Sequence, residues 1–87
     1  MRPMGKKMIQ FDNVADYNHA KRYFDVKGAK VYNEYSWNED EPPVLFVIPT
    51  QNTVFWYASA RDAMSVYGDN IEWFGFHEYI EEIYERV

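Results

Sequence analysis

Cysteine is absent from this chain, leucine occurs once (Leu45), and residues 31–87 contain only two basic residues. Without cysteine there are no disulfides, no thiolate-ligated zinc and no thiol nucleophile. The four glycines stand singly, so the usual phosphate-cradling loops are excluded. The longest apolar run, Val44 to Ile48, is far short of the ~20 residues that a membrane-crossing helix needs. At the amino terminus, Met-Arg-Pro-Met-Gly-Lys-Lys carries charge but no apolar stretch of signal-peptide length follows. A cytoplasmic setting is the expectation. The 87 residues predict a single domain, 1–87, with 1–6 as a flexible tail. A chain this short buries only about 60–65% of its unfolded surface, so packing alone or a partner subunit must hold it.

What the chain does have is aromatic mass and a lopsided charge. Three Trp, eight Tyr and six Phe make up 20% of the residues. Aromatic rings bury large areas with few rotatable bonds, and they also dominate interface hot spots. So many rings predict that several lie at a partner surface. Residues 1–30 hold seven basic and three acidic residues, a balance of +4; residues 31–87 hold two basic and eleven acidic, a balance of −9. Such a field steers association rather than folding.

The pattern of apolar residues predicts an α+β fold in the order β-α-β-β-β-α-(β)-α, a small antiparallel meander with one N-terminal and two C-terminal helices. Lys7 to Phe11 reads as a strand. Asp12-Asn13 offers an N-cap to a helix over 13–27, with Val14, Tyr17, Ala20 and Phe24 at helical spacing and Gly28 as its stop. Val31 to Trp37, Val44 to Ile48 and Thr53 to Ser59 read as strands, the last two as a hairpin around Pro49 to Asn52. Both faces of that hairpin are apolar, so it needs cover on both sides, from helices or from a second copy of the chain. Ser59 followed by Asp62 caps a short helix ending at Gly68, Ile71 to Phe74 reads as a strand or connector, and a last helix covers about 76–86.

No reaction is spelled out. His19 and His77 are the only imidazoles, and His77 has Glu78 beside it and Glu81 one turn along. A zinc site needs three protein ligands at fixed spacing, and no His-Glu-x-x-His occurs. Ser36, Ser59 and Ser65 lie in no Gly-x-Ser-x-Gly elbow. No cofactor or metal is implied, and the reading is non-enzymatic; a small hydrolase or transferase using His77 and a carboxylate is the alternative from another class. Lys6, Lys7, Lys21, Arg22, Lys27 and Lys30 are basic, yet net charge is −5, so no direct nucleic-acid binding is expected.

The acidic half is the remaining signal. Glu34, Glu39, Asp40 and Glu41 surround a turn stiffened by Pro42-Pro43, with Trp37 beside it as an anchor. Glu78, Glu81, Glu82 and Glu85 line the last helix. Those residues are the candidate partner-binding set. In general character (tiny, acidic, cysteine-free, aromatic-rich) the chain is similar to phage-encoded inhibitors such as anti-CRISPR and anti-restriction proteins, and to some bacterial immunity proteins. That resemblance implies an inhibitor acting as a nucleic-acid mimic on a larger protein with a basic surface, most simply a nucleic-acid-handling host enzyme. An immunity protein or antitoxin against a basic toxin is the alternative. No membrane partner is expected, and a homodimer through the sheet face is one way to cover the second apolar side.

Overall fold

A computed structural model describes residues 5–86. Five strands form one mixed sheet in the order β2-β4-β3-β1-β5: β1 (Lys6–Gln10), β2 (Lys30–Tyr32), β3 (Val44–Ile48), β4 (Thr53–Tyr57) and β5 (Ile71–Gly75). Three helices complete it: α1 (Val14–Val26), α2 (Ala60–Tyr67) and α3 (Phe76–Glu82), the last followed by a 3-10 turn, Tyr84–Arg86. The α+β class is the one the sequence predicts, and the element order differs slightly: 3-10 turns stand at Pro49–Gln51 and Tyr84–Arg86, and α3 stops at Glu82 where a helix to about 86 was expected. The antiparallel meander is not observed. Only β1–β3 and β3–β4 are antiparallel; β2 lies parallel to β4, and β5 parallel to β1.

The correction has a local cause. Asn33 sits at φ 56°, which ends β2 after Tyr32, five residues before the strand expected up to Trp37 should stop. The chain then has residues 33–43 in which to return to β3, long enough for β2 to settle beside β4 instead. The segment expected as a tail lies mostly outside the described residues; within them, Lys6 already belongs to the sheet, its N–H donating to the Asn70 carbonyl at 2.9 Å.

Local chemistry sets the helix ends. Asn13 caps α1, its Oδ1 accepting from the Asp16 N–H at 2.8 Å. At the other end Gly28 takes φ 70°, its N–H donates to Asp25, and the Ala29 N–H donates to Phe24. That pairing closes the last carbonyls and needs a residue free of a Cβ penalty. Ser59 Oγ accepts from the Asp62 N–H at 3.1 Å and starts α2.

β1, β2, β4 and β5 all point the same way, so β1-α1-β2 and β4-α2-β5 are both parallel crossovers. They traverse the sheet in opposite directions, and their helices lie on opposite faces, which gives both the same hand, as the twist of strands requires. On the first face α1 and α3 close over Ile9, Leu45, Val47, Val54 and Trp56, with Tyr17, Ala20, Phe24, Phe76, Tyr79 and Ile80 from the helices. On the second, Ala63 of α2 packs with Met8 and Val44, flanked by Phe46, Tyr57, Tyr67 and Trp73. Both apolar faces of β3 and β4 are thus met by helices, although α2 is short and leaves the β2 side open.

Two expectations follow from this core. Trp56→Ala or Phe24→Ala removes a fully buried ring and costs roughly 3–5 kcal/mol in urea unfolding, whereas Val26→Ser, at an exposed site, stays within about 0.5 kcal/mol. Alkali should also unfold the protein. Burial pushes the Tyr79 phenol up to about 12, and burial with the neighbouring Tyr67 hydroxyl pushes Tyr57 up to about 12. A phenol raised above its unfolded value near 10 keeps its stabilisation below that pH and loses it as pH climbs through 12. For Tyr79 that amounts to roughly 2–3 kcal/mol at full ionisation. Stability measured across pH 9 to 12 should be flat at first and then fall, with Tyr79→Phe blunting the fall.

Candidate partner interface

Three of the four parallel strands end directly in a helix start. β1 leads through Asp12-Asn13 into α1, β4 through Ser59 into α2, and β5 straight into α3. β2 ends at the same edge of the molecule, and the loop 33–43 runs from it to the start of β3, where Val44 pairs with Tyr57. The carboxyl ends of the parallel strands therefore form one rim. Helix amino termini carry partial positive charge and favour carboxylates in the first turn, and each helix here brings one: Asp16, Asp62 and Glu78. With Asp12 and the loop's Glu34, Glu39, Asp40 and Glu41, eight carboxylates share this end.

The loop is held in place. The Tyr17 hydroxyl on α1 donates to the Tyr35 carbonyl, and the Trp37 ring packs on the Tyr17 ring with centroids 5.5 Å apart. Trp37 Nε1 donates to Glu39 Oε2 at 3.2 Å, and Asn38 Oδ1 accepts from the N–H groups of Asp40 and Glu41 at 3.0 and 3.4 Å. Pro43 is fully buried behind them. A loop ordered in this way loses little entropy on docking.

Three basic side chains touch the rim, and each already meets a carboxylate. Lys21 Nζ lies 3.2 Å from Glu34, Arg61 Nε 3.9 Å from Glu41, and His77 Nε2 3.5 Å from Asp16. The hydrogen bond to Glu34 holds the Lys21 ammonium above the usual lysine range, against the smaller, opposite effect of burial. Among the described residues Asp12, Glu39 and Asp40 form no ion pair. The opposite end of the sheet is basic: Lys6 and Lys30 open β1 and β2, and Lys27 caps α1, where the Asn52 side-chain N–H donates to its carbonyl at 3.0 Å. The charge asymmetry of the sequence becomes a polarity along the strands.

The expected site residues divide between two places. Glu34, Trp37, Glu39, Asp40 and Glu41 come together at the rim. Glu78 joins them, because its Oε1 turns back to accept from the Gly75 N–H at 3.4 Å. Glu81, Glu82 and Glu85 lie further along the chain, toward the other end, with Glu81 and Glu85 beside a shallow cleft of about 190 Å³ that includes His19, Tyr23 and His77. The carboxylate that His77 meets is Asp16 of α1 rather than Glu81 on its own helix. Trp37 is half-buried against Tyr17, and Tyr35, 40% exposed, is the more open ring beside the acids. Asp12, Asp16 and Asp62 were not in the expected set; their signal was the helix starts they accompany.

The tether between Tyr17 and the loop can be tested directly. Tyr17→Phe keeps the ring packing and deletes the hydrogen bond to Tyr35, which should cost about 1 kcal/mol and speed amide exchange across 34–41. Unchanged exchange in that segment would mean the loop is held by Trp37 packing alone.

No protein-family model, no curated protein and no solved structure matches this chain.

Proposed function

We propose that this chain is a small acidic, non-enzymatic binding protein that lays its carboxylate rim on a basic surface of a larger protein and blocks it. The observation that carries this reading is the convergence of eight carboxylates, from every helix start and from the tethered loop, on one end of the sheet. Duplex DNA presents one charge per ~1.7 Å of axis, so eight carboxylates, less the Lys21 and Arg61 charges that lie among them, match about 10 Å of duplex. A groove built to grip phosphates accepts such a surface without redesign. Charge of this kind sets on-rate and selects basic partners, while Tyr35 and Trp37 supply apolar anchors for residence time. The target class that fits is a nucleic-acid-handling enzyme, and the role is that of an inhibitor carried by a phage or other mobile element, of the anti-CRISPR or anti-restriction kind.

The test uses the intact protein to capture a partner from bacterial lysate, beside a variant carrying Glu39→Lys, Asp40→Lys and Glu41→Lys. The captured enzyme should be displaced by duplex DNA and inhibited by the wild-type chain. The triple variant should associate several-fold more slowly at ~0.1 M salt, and the difference should vanish near 1 M, as the Debye length shrinks from ~10 to ~3 Å. Trp37→Ala should act on the off-rate, by up to ~30-fold if it is a hot spot. A toxin captured in place of a nucleic-acid enzyme would assign the rim to immunity. Equal capture by wild type and triple variant at low salt, with the fold intact, would end the rim reading.

A further inference from the structure

The sheet has two open edges, β2 and β5, and they differ in charge. β2 is only three residues long, yet it exposes apolar side chains on both faces: Val31 is 44% and Tyr32 46% exposed. Tyr32 ends a column of rings that runs across the second face, stacked on Phe55 at 4.9 Å, with Phe55 on Phe46 at 6.4 Å. On the first face, an open groove of about 500 Å³ separates Val31 from α1 over a floor of Val54 and Trp56. Lys27 precedes the strand, Lys30 opens it and Glu34 follows it, so the edge is basic at its start and acidic at its end.

We propose that β2 pairs with β2 of a second copy of this chain, antiparallel, about a two-fold axis perpendicular to the sheet. An isologous contact of this sort must be complementary to itself, and the β2 edge is. Antiparallel pairing centred on Val31 sets the two Val31 side chains together on one face. It places Lys30 opposite the second copy's Tyr32 on the other, an ammonium beside an aromatic ring. The basic start of each strand then approaches the acidic end of its mate, and each molecule's basic base lies alongside the other's acidic rim. Because the axis is normal to the sheet, α1 and α3 of both copies stay on one face and α2 on the other.

The alternatives are disfavoured by the same geometry. The β5 edge lacks this self-complementarity: Glu72 is the one charged residue of Ile71–Gly75, with no basic residue in the strand to meet it in a second copy. Face-to-face stacking meets α2, which stands on the second face and would hold the two sheets apart. Three residues supply few ladder hydrogen bonds, so the dimer is a weak one whose affinity depends on the charges and on Tyr32.

Sedimentation equilibrium on the full chain, over a wide concentration range at low and high salt, tests this. A monomer–dimer equilibrium that weakens with salt is the expected result. Tyr32→Asp and, on the opposite face, Val31→Lys should each weaken it about tenfold or more; both sites are exposed, so the fold should persist by circular dichroism. Lys30→Glu should weaken the dimer by taking the ammonium away from the facing Tyr32 ring, and Lys30→Arg, which keeps a cation there, should preserve it. A wild-type chain monomeric throughout, a dimer indifferent to Tyr32→Asp and to Lys30→Glu, or open-ended assembly would each overturn the proposal. None of these outcomes depends on what the acidic rim binds.

Discussion

Val44 to Ile48 carries apolar side chains on both faces of the sheet, and the rest of the structure answers to that. A strand apolar on both faces cannot stand with one side in water, so helices must be supplied above and below. With 87 residues the chain does this by two crossovers that travel in opposite directions, α1 over the first face and α2 over the second. Crossovers of one hand between parallel strands then fix where the helices begin. All three start at the carboxyl ends of the strands, on one side of the molecule.

That placement turns a common preference into a surface. Each helix start favours a carboxylate, and starts gathered at one end gather their acids too. The long return from β2 to β3 crosses the same end and adds Glu34, Glu39, Asp40 and Glu41. The lysines that open β1 and β2 and cap α1 fall at the other end. A chain that is basic early and acidic late in sequence becomes a molecule polarised along its strands, with Asp12 and Asp16 of the early segment joining the acidic pole.

The aromatic residues divide into two kinds of work. Trp56, Phe24, Phe76 and Tyr79 fill the core that a single leucine leaves short of bulk. Tyr17 does both jobs: its ring is buried, while its hydroxyl and its face hold the Tyr35–Trp37 segment to α1. On the same helix, half-buried Tyr23 has no hydrogen-bond partner for its buried hydroxyl among the described residues, and burial, followed by the nearby Glu85 charge, raises its phenol.

Local patterns determined much of this protein by themselves. Helical spacing from Val14 to Phe24, the caps at Asn13, Ser59 and Gly28, and the β-branched runs of β3 and β4 were legible because each is settled by neighbours a few residues away. So was the acidity of 39–41. Pairing partners were not legible, since whether β2 lies beside β3 or β4 depends on a loop conformation and on Tyr17, far off in sequence. The alternation from Val31 to Trp37 looked like a strand; only the packing of Trp37 on α1 and the left-handed turn at Asn33 made its second half a loop. The rim was hidden for the same reason. Its carboxylates come from four separate stretches of chain, and what unites them is the direction in which the strands run, a property that tertiary structure alone decides.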